Sequence, residues 1–128
     1  MSDLCDLLES KAGFDYSIPA SEEAIEQAEA VLHLQFAKDY KEYLREYGSV
    51  TFDGHELTGI GPNKWQDVVE STKRALLANN VPPDCYVIER LGIDGIIIWQ
   101  DSSGLIYETS PQSKPVQKHD SLIDYINN

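Results

Sequence analysis

Phe36-Ala37-Lys38-Asp39-Tyr40-Lys41-Glu42-Tyr43-Leu44-Arg45-Glu46-Tyr47-Gly48-Ser49-Val50-Thr51-Phe52-Asp53-Gly54 changes period at its first glycine. Before Gly48, the residues Phe36, Tyr40, Tyr43, Leu44 and Tyr47 recur at helical spacing. That spacing predicts a helix over 37–47, and Gly48 suits its C-terminal stop. Tyrosine has an apolar ring and a polar tip, so this face is expected at the edge of the core with its hydroxyls in water. After Gly48 the period falls to two. Val50 and Phe52 alternate with Thr51, and Asp53-Gly54 is a hairpin turn signal, so residues 56–60 are expected to return as a second strand. A helix handing directly to a hairpin points to a mixed architecture.

The flanks extend this reading. Leu4, Leu7 and Leu8 mark one side of a short helix over 2–11, followed by a loop containing Gly13 and Pro19. Ser21 reads as an N-cap, with Glu22 and Glu23 at the positive end of the helix dipole. Over 22–33, Ile25, Ala28 and Leu32, joined by Ala24 and Val31, form an apolar stripe. Glu22, Glu26 and Glu29 share another face. Like charges at this spacing cost a few tenths of a kcal/mol each, so local helix stability does not explain them. Downstream, Asp67-Val68-Val69-Glu70 resembles a capping box opening a fourth helix, with Val68, Val69, Thr72, Leu76 and Leu77 apolar and an end near Asn79-Asn80. After Pro82-Pro83 come strands at 85–88, 95–100 and 105–109, with a turn at Asp101-Ser102-Ser103-Gly104. Pro111 to Pro115 reads as a loop, Val116 to Lys118 as an edge strand, and Asp120 as the cap of a last helix carrying Leu122, Ile123, Tyr125 and Ile126. The expected fold class is α+β: a mostly antiparallel sheet of about four to six strands flanked by helices, in a single domain over 1–128.

The chain of 128 residues is 41% hydrophobic, enough for one sizeable core without disulfides or metals. Its longest clean apolar run is Ile96-Ile97-Ile98-Trp99, far short of the roughly 20 residues that span a membrane. Acids at Asp3 and Asp6 stand where a secretory signal carries bases, so the cytoplasm is the expected location. Cys5 and Cys85 have no paired spacing, and with only His33, His55 and His119 beside them no zinc-ligand pattern arises. The formal net charge is −12, and residues 1–30 hold eight of the acids against the single base Lys11. Such a field repels nucleic acid and anionic membranes and attracts basic partners; solubility alone is the plainer explanation.

Reactive motifs are absent from the sequence. It contains neither a nucleophile elbow nor a phosphate-binding loop, and Gly59-Ile60-Gly61 has Lys64 where a dinucleotide fingerprint needs its third glycine. His55-Glu56 is the nearest acid–base pair. It lies on a predicted hairpin, where neighbouring side chains point to opposite faces, and reads as an exposed turn histidine. An enzyme built on Asp53, His55 and Glu56 would require all three in one cleft. Cys85 is expected to be buried and inert. Lys38, Lys41 and Arg45 alternate with Asp39, Glu42 and Glu46, a solvated mixed face rather than a phosphate track.

Several segments, in order, resemble the SUKH superfamily, which includes the yeast cell-wall-assembly regulators. They are the glutamate-rich helix Ile25 to Leu32, the tyrosine helix Leu34 to Gly48, the short Leu57-Thr58-Gly59-Ile60, the hairpin Asp101-Ser102-Ser103-Gly104-Leu105-Ile106-Tyr107 and the closing Ser121-Leu122-Ile123-Asp124-Tyr125-Ile126. The family's Leu-Pro is Phe36-Ala37 here, and its Asn-Gly is Tyr47-Gly48. The resemblance implies helices around a mostly antiparallel sheet and no cofactor; with the missing motifs and ligand spacing, neither catalysis nor a metal site is expected. Bacterial members look like immunity proteins that neutralise toxins, often nucleases; eukaryotic members look like interaction modules. Joined to the charge, this gives the expectation of an immunity protein for a cognate, basic protein toxin, acting as a monomer or homodimer, with no direct nucleic-acid or membrane partner. Its contacts are expected at Glu22, Glu26, Glu29, Asp94, Asp101 and Glu108, with Trp99 as an aromatic anchor; Trp65 or an exposed tyrosine could serve as well. The alternative is a general protein–protein interaction module without a toxin partner.

Overall fold

A computed structural model describes residues 3–77 and 81–127. In chain order the elements are α1 (Asp3–Glu9), β1 (Asp15–Tyr16), α2 (Glu22–Leu32), α3 (Lys38–Tyr47), β2 (Val50–Phe52), β3 (His55–Glu56), a 3-10 turn (Lys64–Gln66), α4 (Val68–Ala75), β4 (Cys85–Arg90), β5 (Ile97–Asp101), β6 (Ile106–Ser110), β7 (Ser113–His119) and α5 (Leu122–Asn127). The α+β class is as expected. The strands form two antiparallel sheets, β1-β2-β3 and β4-β5-β6-β7, where the sequence suggested one. No helix among the described residues is long and apolar enough to cross a membrane.

The division has a local cause. Asp53 and Gly54 both take positive φ, as a tight hairpin turn requires, but the returning strand stops at Glu56. Beyond it the chain runs against the end of α3. Ile60 N–H donates to Gly48 O at 3.0 Å, and Gly59 N–H donates to Gln66 O at 2.6 Å. A Cβ on Gly59 would overlap the Gly48 carbonyl, and one on Gly48 would overlap the Ile18 carbonyl. Three backbone segments therefore cross where only glycine fits. The segment from Leu57 to Ile60 meets β4 through Thr58, whose N–H donates to Ile88 O and whose hydroxyl donates to Val87 O.

Ser21 caps α2 as expected, accepting from Ala24 N–H at 3.1 Å. Ile25 and Ala28 are buried, whereas Val31 is exposed. The α3 tyrosines differ from expectation: Tyr40 and Tyr43 are wholly buried, and their hydroxyls are satisfied inside the protein. Thr58 has already donated its proton to Val87, so Tyr40 donates to Thr58 Oγ1 at 2.9 Å. Tyr43 donates to Thr58 O at 2.6 Å and accepts from Val50 N–H. Tyr86, from β4, accepts from Ala37 N–H at 2.8 Å and so satisfies the backbone where α3 begins. It also donates to Gln100, which donates in turn to Asp39, and the second Asp39 oxygen accepts from Leu122 N–H at the start of α5. Phe36, Tyr40, Tyr43 and Tyr86 pack ring to ring around this chain of hydrogen bonds. Burial raises the pKa of all three tyrosines, keeping them protonated donors.

The four-stranded sheet is covered on both faces. Tyr86, Ile88, Ile98 and Ile106 join the main core with α1, α2, α3 and α5. Cys85, Val87 and Trp99 point to the other face and pack with Ala75 of α4. Burial pushes the Cys85 thiol up to about 12, consistent with an inert core cysteine. Leu76 and Leu77, expected on the apolar side of this helix, are exposed; its expected end near Asn79-Asn80 lies outside the described residues. The loop expected at Pro111–Pro115 is shorter than that, because β7 already begins at Ser113. Pro115 sits within it, which an edge strand tolerates. Ser121, rather than Asp120, caps the last helix by accepting from Asp124 N–H.

Candidate partner-binding site

The residues expected to contact a partner fall in different places. Glu22 forms an ion pair with Arg45, and Glu29 is held by Lys41 at 3.4 Å and by Phe36 N–H at 2.8 Å. Of the three α2 glutamates expected at the contact, Glu22 and Glu29 thus bind α2 to the start and body of the tyrosine helix, while Glu26 stands exposed. Asp94 is exposed on the turn before β5, and with Glu108 it lines a shallow depression. Trp99 is corrected outright: it is 1% exposed, and its Nε1–H donates to Thr109 Oγ1 at 2.9 Å, so it reaches no partner.

Asp101 is occupied by its own turn. Its carboxylate accepts from Ser103 N–H and Oγ, Leu105 N–H and Tyr107 OH. Burial works against its charge, but these hydrogen bonds outweigh it and hold the carboxyl below its ordinary range. A depressed carboxyl stabilises the fold above the unfolded-state value of about 3.9 and loses that contribution as pH falls through the folded value. Asp101→Asn is therefore expected to be less stable than the native chain at pH 7 by on the order of 1 kcal/mol. The gap should be narrower at pH 3, where the unfolded carboxyl already binds a proton that the folded one resists. Urea midpoints at the two pH values measure this, and an equal gap at both would refute it.

A cleft of about 520 Å³ opens between the β2–β3 hairpin tip, the 3-10 turn and the loop after β4. Asp53, His55 and Glu56 line one wall, and Leu91 and Ile93 another. Trp65 stands at its rim 82% exposed, and Ile93 is 63% exposed. The indole is free while its backbone is fixed: Asn63 Oδ1 accepts from Trp65 N–H, and Asn63 Nδ2 donates to Gln66. Gln66 is buried and donates to Val50 O and Leu57 O.

Glu89 lines the same cleft and is only 3% exposed. It accepts from Tyr125 OH and from Glu56 N–H at 3.2 Å, and it lies 3.0 Å from His55 Nδ1. Burial first, and then the Glu89 charge, raise the pKa of Tyr125 and keep its hydroxyl a donor. His55 is thus a half-buried partner of a core carboxylate rather than a bare turn histidine. Asp53, His55 and Glu56 do meet at one cleft, but among the described residues no serine, threonine or cysteine side chain is hydrogen-bonded to His55 as a nucleophile would be. Nor do the described residues hold a group of three or more His, Cys, Asp and Glu placed for a metal ion.

Sequence reasoning passed over Glu89, Arg90 and Ile93. Glu89 follows the apolar run Tyr86-Val87-Ile88, and the β4–β5 register shifts between Val87 and Glu89. This bulge buries Ile88 and Glu89 in succession, breaking the alternation on which a sequence reading relies. Asn63, a capping residue type two positions before Trp65, was the sequence signal that this segment could hold a fixed turn under an outward indole.

Helices closing over two antiparallel sheets, with a cleft beside the β2–β3 hairpin, make an α+β fold consistent with the SUKH type. The SMI1-KNR4 cell-wall family model (SUKH_5) matches residues 1–128, and the chain belongs to that family. No curated protein matches the chain in a sequence search.

Proposed function

We propose that this chain is a non-catalytic immunity protein that binds and neutralises a cognate, basic protein toxin, a nuclease by preference, in the cytoplasm. Family membership supports a toxin-immunity role, and the net charge of −12 is the observation that carries the choice of a basic partner. A nuclease must hold phosphates, so its cleft is positive, and an acidic inhibitor is drawn to it by long-range attraction. Glu26 and Asp94 are exposed carboxylates suited to steering, and the exposed Trp65 is suited to anchoring. The family's cell-wall description favours a second reading, a regulatory interaction module without a toxin.

The test is co-expression with the toxin-like C-terminal domain encoded beside this gene. Rescue of growth and a co-purifying complex are expected. The association rate should fall about tenfold or more between 50 and 500 mM NaCl. A rate indifferent to salt would remove the electrostatic argument, and failure to form any complex would favour the regulatory module.

A further inference from the structure

We infer that the cleft beside Trp65 receives an arginine side chain from a basic segment of the partner, stacked on the indole and held by the carboxylates of Asp53 and Glu56. This rests on the proposal above that the partner is basic. Three features carry it. The rim combines Trp65 with Ile93, two large apolar side chains that stand in water although the turn beneath Trp65 is rigidly capped. The cleft has the volume of a small-ligand site rather than of a flat surface. Its lining holds three carboxylates, Asp53, Glu56 and Glu89, against the one guanidinium of Arg90, which is tied to Ser71 O at 3.2 Å.

The chemistry selects the occupant. Glu89 is engaged by Tyr125, Glu56 N–H and His55, so it sets a negative floor without offering a free face. Asp53 and Glu56 are exposed at the hairpin and keep their carboxylates turned to solvent. A planar guanidinium can lie on an exposed indole and still present donors at its edges to separate carboxylates. An apolar segment would leave those carboxylates dehydrated and unpaired, and an acidic one would meet like charge.

Tetra-arginine peptide, titrated into the intact ¹⁵N-labelled protein at low salt, tests this. The Trp65 indole N–H signal and the amides of residues 53–56 should move, and the Trp99 indole should not. By calorimetry, Trp65→Ala and the pair Asp53→Asn with Glu56→Gln should each weaken binding about tenfold, whereas Glu23→Gln on α2 should change it less than twofold. All these positions are exposed, and unchanged thermal midpoints verify folding. Undiminished affinity in Trp65→Ala overturns the cleft assignment. If the α2 variant alone loses affinity, the assignment also falls while the basic-partner proposal stands. If the peptide binds nowhere on the protein at low salt, both fall.

Discussion

Gly59→Ala is expected to destabilise the protein by about 4 kcal/mol or more, enough to leave much of the chain unfolded, because typical domains hold only about 5–15 kcal/mol in total. The new methyl group would overlap the backbone carbonyl of Gly48 and lie 2.9 Å from the Ser49 side chain. A flexible side chain could swing aside, but this carbonyl cannot. It accepts from Ile60 N–H, and Gly48 itself packs against the Ile18 carbonyl. Relief would require separating the end of α3 from the 57–60 segment, which carries Thr58 and with it the hydroxyl partners of Tyr40 and Tyr43. Gly54→Ala is the control. Its φ is positive, yet nothing lies within 4 Å of the added carbon, so only backbone strain of about 1 kcal/mol is expected. Urea denaturation of both variants measures the difference. A Gly59→Ala protein within 1 kcal/mol of the native chain would mean that the crossing is looser than described.

Trp99→Ala is expected to cost about 3–5 kcal/mol. It would empty the space between α4 and the sheet where Trp99 packs with Ala75, Cys85 and Val87. It would also strip Thr109 Oγ1 of its indole donor in a buried setting. Trp65→Ala should change stability by no more than about 0.5 kcal/mol, because that side chain is 82% exposed. The two tryptophans therefore separate cleanly: one mutation should empty the unfolding curve of its margin, and the other should be visible only in binding. Comparable losses of stability in both variants would contradict the placement of Trp65 in solvent.

The sequence disclosed the elements that announce themselves locally. Ser21 as a cap, the period of the tyrosine helix, Asp53-Gly54 and the Asp101 turn all came through, because caps, glycines and apolar spacing are read within a few residues. What did not come through depends on distant contacts. The wet tyrosine face became a buried one because Thr58 and Val87, far along the chain, supply its hydrogen bonds. The single expected sheet became two because glycines separated by eleven positions meet in space. The candidate contacts suffered the same way. Trp99 reads like any aromatic until its strand is known to be covered on both faces, and the α2 carboxylates look unengaged until α3 brings Lys41 and Arg45 across. Glu89 was invisible because a bulge carries no residue signature of its own here.

Strand β7 forms the outer margin of the larger sheet and is largely exposed. An open margin of this kind is a template on which other chains can add, layer after layer, into fibres. Here Pro115 withholds an amide hydrogen, and Lys114 and Lys118 set two ammonium groups along the same strand. A second molecule approaching edge-on would meet a gap in its ladder and two like charges of its own, so crowding should leave these molecules dispersed rather than drive them into filaments.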